Sequence, residues 1–122
     1  MRSTGTTTSD LARRADLALP ERLDVTTVGE LREALALAIE AGPGLDVVVD
    51  VSLVRVVDST GLGLLVTTHR NCLRAGRRLL LVDPQPRLLR LLAVTRLHRI
   101  LHLQRAIDLG VHSAIPRQGL GA

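Results

Sequence analysis

Val47 to Val51 consists of four valines around a single aspartate, Asp50. A run so rich in β-branched side chains reads as a strand covered on both faces. Strands of that kind belong to parallel sheets, whose members are joined by crossover helices. The neighbouring segments supply such helices. Upstream, Thr27 stands three residues before Glu30, the spacing of a capping box. Val28, Leu31, Leu35, Ala38 and Ile39 then fall on one helical face, and Gly42 with Pro43 stops the helix at about Ala41. Downstream, Leu62, Leu65, Val66, His69 and Leu73 share a face of a second helix that Gly76 ends. Arg70, Arg74 and Arg77 form a basic stripe elsewhere on it, read as a solvated face before a docking surface.

Leu79 to Val82 is another short buried strand. Asp83-Pro84-Gln85-Pro86 opens a third helix, where prolines are tolerated only in the first turn, and Leu88, Leu89, Leu91 and Leu92 form its apolar side. Ile100 to Leu103 is a last strand; Leu17-Ala18-Leu19 is a short first one, followed by a turn at Pro20 to Asp24. Strands alternating with helices predict an α/β layer fold with a largely parallel sheet. One domain is expected over 17–115, with a short helix at 106–115, a polar tail over 1–16 and a frayed end over 116–122.

Phe, Tyr and Trp are all absent, so the core has to be aliphatic. One cysteine, Cys72, allows no internal disulfide and falls short of a structural zinc site. No metal or other cofactor is expected: His98 and His102 are four apart but lie in a predicted strand, and no third ligand is evident. All basic residues are arginine and the net charge is +4, yet acids are interspersed and no ring is present for base stacking. Direct nucleic-acid binding is therefore not expected. No apolar run approaches the roughly 20 residues that span a bilayer, and the first ten lack the apolar core of a signal peptide. The expected location is the cytoplasm.

Asp58-Ser59-Thr60-Gly61-Leu62-Gly63 falls where a strand should pass into a helix. A serine there is exposed and held in place, which suits reversible phosphorylation, with Thr60 the alternative acceptor. The same residue types are favoured at helix N-caps. Asp58 therefore reads either as a cap or as a group orienting Ser59, and Thr60 as acceptor or cap. Gly61 and Gly63 serve either close approach of a partner or tight helix–sheet packing. Asp50 reads first as a strand-end residue bonding loop amides, and second as an aid to the hydroxyl.

In order and type these residues resemble the STAS domain, and most of all bacterial anti-sigma factor antagonists. Val49-Asp50-Val51 followed by Val57 to Gly63 matches the family's most specific motif; Leu23-Asp24 with Thr27 resembles an earlier landmark, and Pro84 to Leu101 a later segment. The resemblance implies a four- or five-stranded mixed sheet with helices packed mainly on one side. It also implies a binding protein, not an enzyme. The unphosphorylated antagonist would bind an anti-sigma factor that is a serine kinase and so release a sigma factor. Phosphorylation at Ser59 would break that complex and a PP2C-type phosphatase would restore it. Asp24, Asp50, Asp58, Thr60, Gly61, Leu62 and Gly63 would form the switch loop and partner surface. The chain departs from the family where one weak strand replaces an opening hairpin, and where Pro20 and Arg96 replace glycines. The alternative is an unphosphorylated scaffold in a transporter or signalling assembly. A serine hydrolase ranks last, because Ser59 lacks the G-x-S-x-G setting and a well-placed histidine.

Overall fold

The valine run lies in the middle of a parallel sheet. In the computed structural model, which describes residues 15–42 and 44–105, it forms strand β3 (Asp46–Asp50) and pairs in parallel with β5 (Arg78–Val82) over five register positions. β1 (Leu17–Ala18) flanks β3 and β6 (His102–Gln104) flanks β5, both in parallel, to give the order β1-β3-β5-β6. A second, two-stranded ladder pairs β2 (Arg22–Leu23) with β4 (Val56–Val57), again in parallel. The helices are α1 (Val28–Ala41), α2 (Ser59–Arg74) and α3 (Pro86–Val94), with a 3₁₀ turn at Leu97–Arg99. This is the α/β fold expected. Calls on the tail, the 106–115 helix and the far C-terminus lie outside the described residues.

Alternation along the strands decides where the core sits. Val47, Val49, Leu79 and Leu81 join Leu35 and Ile39 of α1, Leu64 and Leu65 of α2, and Leu88 and Leu92 of α3 in one aliphatic cluster. Val48 and Asp50 point the other way and are only half-buried, so β3 is not covered equally on its two faces. The helices take one face, and Val48 gains less than continuous hydrophobicity suggests.

Several local expectations change. The stretch 20–24 is not simply a turn, because Arg22 and Leu23 form β2. Two short strands thus precede Asp24, but they join different ladders and make no hairpin with one another. The capping box is absent: the Thr27 hydroxyl accepts from the Asp24 amide at 3.1 Å and lies 3.0 Å from the Arg22 carbonyl. The amides of Thr27 and Val28 instead donate to the Asp24 carbonyl, both at 3.0 Å.

The buried stripe of α2 is Gly61, Leu64, Leu65, Thr68 and Cys72, while Leu73 is exposed. Bulk apolar residues misplace this face because the helix packs closely through small ones. Thr68 is compatible with burial because its hydroxyl donates to the Leu64 carbonyl at 2.7 Å. Past the helix, Gly76 takes a left-handed φ of 72°. Its amide and that of Arg77 bond back to Leu73 and Cys72, a Schellman closure.

Arg77 is then no part of a basic stripe. It is buried, and its guanidinium donates to the carbonyls of Ile39, Gly44 and Asp46, so it receives the C-terminal end of α1. The last strand starts two residues late because the amides of Ile100 and Leu101 both close on Leu97. Arg96, where the family often has glycine, enters that turn with φ 64°.

Candidate functional site

The connection from β4 to α2 is sharp, and it is built from Asp58. The residue is extended and caps the helix: Oδ1 accepts from the Gly61 amide at 2.8 Å, and its carbonyl from Leu62 at 3.0 Å. Capping by Asp58 leaves Thr60 with no such duty. The second carboxylate oxygen, Oδ2, accepts from the Val25 amide at 3.1 Å. Asp58 thus ties the helix N-terminus to the loop between β2 and α1. The backbone adds to this, since the Asp58 amide donates to the Leu23 carbonyl at 3.3 Å.

The loop so tied is itself organised by Asp24. That side chain is buried and accepts from Thr26 through both its amide and its hydroxyl, and from Arg22 Nε at 3.0 Å. The Thr26 hydroxyl, with help from the Thr26 amide and Arg22, holds the Asp24 carboxyl below its ordinary value against the opposing cost of burial.

Ser59 and Thr60 are exposed on this base as the first two residues of α2. Among the described residues their amides are the ones at the helix end that Asp58 leaves free, so they face an incoming anion together with the helix dipole. The two glycines part company. A Cβ on Gly61 would lie 1.9 Å from the Leu23 carbonyl oxygen, so this position is glycine because the helix touches β2. A Cβ on Gly63 meets nothing within 4 Å, and the residue is exposed. Leu62, between them, is half-buried against the core.

Asp50 stands apart. Its Oδ1 accepts from the Ser52 amide at 2.8 Å, and among the described residues no hydrogen bond links it to Asp58 or Ser59. It ends a strand and fixes the turn behind it.

Val25 went unnoticed in the sequence. It is 67% exposed although apolar, and its amide is pinned by Asp58, which sets an apolar side chain beside the serine loop. An aliphatic residue inside the polar string Asp24-Val25-Thr26-Thr27 was the available signal. Among the described residues no group of three or more His, Cys, Asp and Glu could hold a metal ion, and no helix is long and apolar enough to cross a membrane.

The STAS domain family model matches residues 10–114. The chain belongs to the STAS domain family. Among solved structures, it is similar to a Thermotoga maritima protein provisionally named an anti-sigma factor antagonist. The two share 22% identity and a TM-score of 0.63, over 78% of this chain and 84% of that one. It is also similar to an anti-sigma-factor antagonist (STAS) domain protein from Planctomyces limnophilus, at 17% identity and a TM-score of 0.65, over 77% of this chain and 89% of that one. These likenesses are of fold. No curated protein sequence matches the chain.

Proposed function

We propose that this STAS domain is an anti-sigma factor antagonist switched at Ser59. Unphosphorylated, it binds an anti-sigma factor that is a serine kinase and thereby releases a sigma factor; phosphorylation ends the complex, and a PP2C-type phosphatase resets it. The supporting observation is the exposure of Ser59 on a base held from beneath by Asp58 and Gly61. A modified Ser59 gains about −1.5 to −2 charges and three acceptor oxygens. The free amides of the helix start can receive them, so the fold tolerates the change. The effect falls on whatever partner covers Val25, Ser59 and Gly63. A hundredfold loss of binding needs about 2.8 kcal/mol, well within the cost of an unpaired buried charge.

Asp24, Asp50, Asp58, Thr60, Gly61, Leu62 and Gly63 divide under this reading. Gly63 and Thr60 are at the docking surface. Asp58, Gly61, Leu62 and Asp24 support it from below, and Asp50 fixes a neighbouring turn. The protein acts by binding, not catalysis. In favour of this, Ser59 is remote from the one histidine of its helix, His69, ten residues on and about 15 Å along the axis.

The test is incubation with ATP and candidate anti-sigma kinases, followed by phosphosite mapping and a binding assay. Phosphate on Ser59, absent from Ser59→Ala, with a folded Ser59→Asp protein that no longer binds the kinase, is the expected result. Retained binding by folded Ser59→Asp, or function unaffected by both substitutions, would point to the unphosphorylated scaffold.

A further inference from the structure

Far from the serine loop in the chain, β5 and β6 share a face on which polar side chains flank buried apolar ones. Their register places Arg78, Leu80, Val82, His102 and Gln104 on that side, opposite Leu79, Leu81 and Leu103. Between this face and the 3₁₀ turn lies a hollow of about 380 Å³, lined in part by Arg78, Leu80, His98, Arg99, His102 and Gln104. That volume is in the range of small-molecule sites, roughly 300–1,000 Å³.

We propose that this hollow binds a small phosphate ester or diphosphate. Its polar lining is donor-rich and contains no carboxylate. The acid that meets its residues, Asp46, is already bound by Arg78 Nε and Nη2 at 2.9 and 2.8 Å, which fixes that guanidinium and engages only part of its donor fork. Among the described residues Arg99 has no acid partner, and guanidinium groups match pairs of phosphate oxygens. His98 places Nδ1 3.3 Å from the Leu92 carbonyl, which holds the ring beside the hollow. Gln104 adds an amide donor and Leu80 an apolar wall. Arg78 comes from β5 and Arg99 from the 3₁₀ turn, so the two guanidinium groups are not the solvated stripe of a single helix. The ladder behind the hollow is also separate from the β2–β4 ladder beneath Ser59.

The experiment is a titration of the full chain with inorganic pyrophosphate, followed by amide chemical shifts at constant ionic strength. Saturable shifts centred on Leu80 and residues 98–104 are expected. Arg99→Glu should weaken binding about tenfold or more, while Arg32→Glu on exposed α1 leaves it nearly unchanged. His102→Ala serves in the same way should Arg99→Glu lose the fold. Absence of saturable shifts at millimolar pyrophosphate would overturn the proposal. Equal weakening by Arg99→Glu and Arg32→Glu would do the same, since the attraction would then be to the protein's net charge.

Discussion

The centre of the sheet and the corner beneath Ser59 are stabilised by different means. β3 and β5 pair along their whole length, and Val47, Val49, Leu79 and Leu81 bury aliphatic surface. β2 and β4 pair over two positions, and what surrounds them is a set of side-chain-to-backbone bonds from Asp24, Thr27 and Asp58. The difference shows how the serine corner is fixed in place on so little sheet. Aliphatic packing is nondirectional and tolerates exchange of one branched residue for another. A carboxylate that meets two particular amides fixes the relative position of two segments and tolerates almost nothing.

The contrast can be broken most directly at Gly61. Gly61→Ala should cost about 3 kcal/mol or more in urea unfolding, because the obstacle is a backbone carbonyl and not a mobile side chain. Val49→Ala, at the centre, should cost about 2 to 3 kcal/mol through lost burial and a cavity, without altering exchange of the loop amides. Asp58→Ala should cost about 1 to 2 kcal/mol and, unlike Val49→Ala, speed hydrogen exchange at Val25 and Gly61. Equal exchange in the two variants would erase the distinction between the regions.

Smaller changes sharpen it. Arg96→Gly should stabilise by about 1 kcal/mol, since φ 64° is strained for arginine. Gly63→Ala should be neutral or stabilise by up to about 1 kcal/mol while weakening partner binding, the reverse of its neighbour two residues earlier.

Acid should separate the regions last. The carboxyl of Asp24 is depressed in the fold, so its contribution is present above its ordinary value of 3.8 and is lost as pH falls through the native value. Asp24→Asn should flatten that limb of a stability–pH curve. His69 acts in a higher window. Burial first, then the charges of His102 and Arg70, lowers its value, and among the described residues its Nδ1 is buried without a partner. The unfolded chain takes up that proton first, so stability declines from about pH 6.5 downward to the native value, and His69→Leu should remove this limb.

The sheet, the three helices and the serine junction were legible because runs of valine and leucine, prolines at Pro84 and Pro86 and the closing Gly76 each have one dominant structural meaning. The face of α2 was misread because its buried line runs through Gly61, Thr68 and Cys72, which carry little hydrophobic weight. Arg77 was misread because an arginine beside two others suggests solvent, and only the assembled fold brings the α1 carbonyls to it. β2 could not be read at all: two residues have no period, and β2 exists because β4 comes to meet it. In the site, Asp58 as a cap was readable from local spacing. Its grip on Val25, 33 residues away, was not.

That grip limits what the carboxylate can do for its neighbour. Each oxygen of Asp58 already receives a backbone amide, so drawing a proton from Ser59 would compete with the bonds that hold the corner. Under the function proposed above, the kinase brings the general base and the domain supplies the geometry.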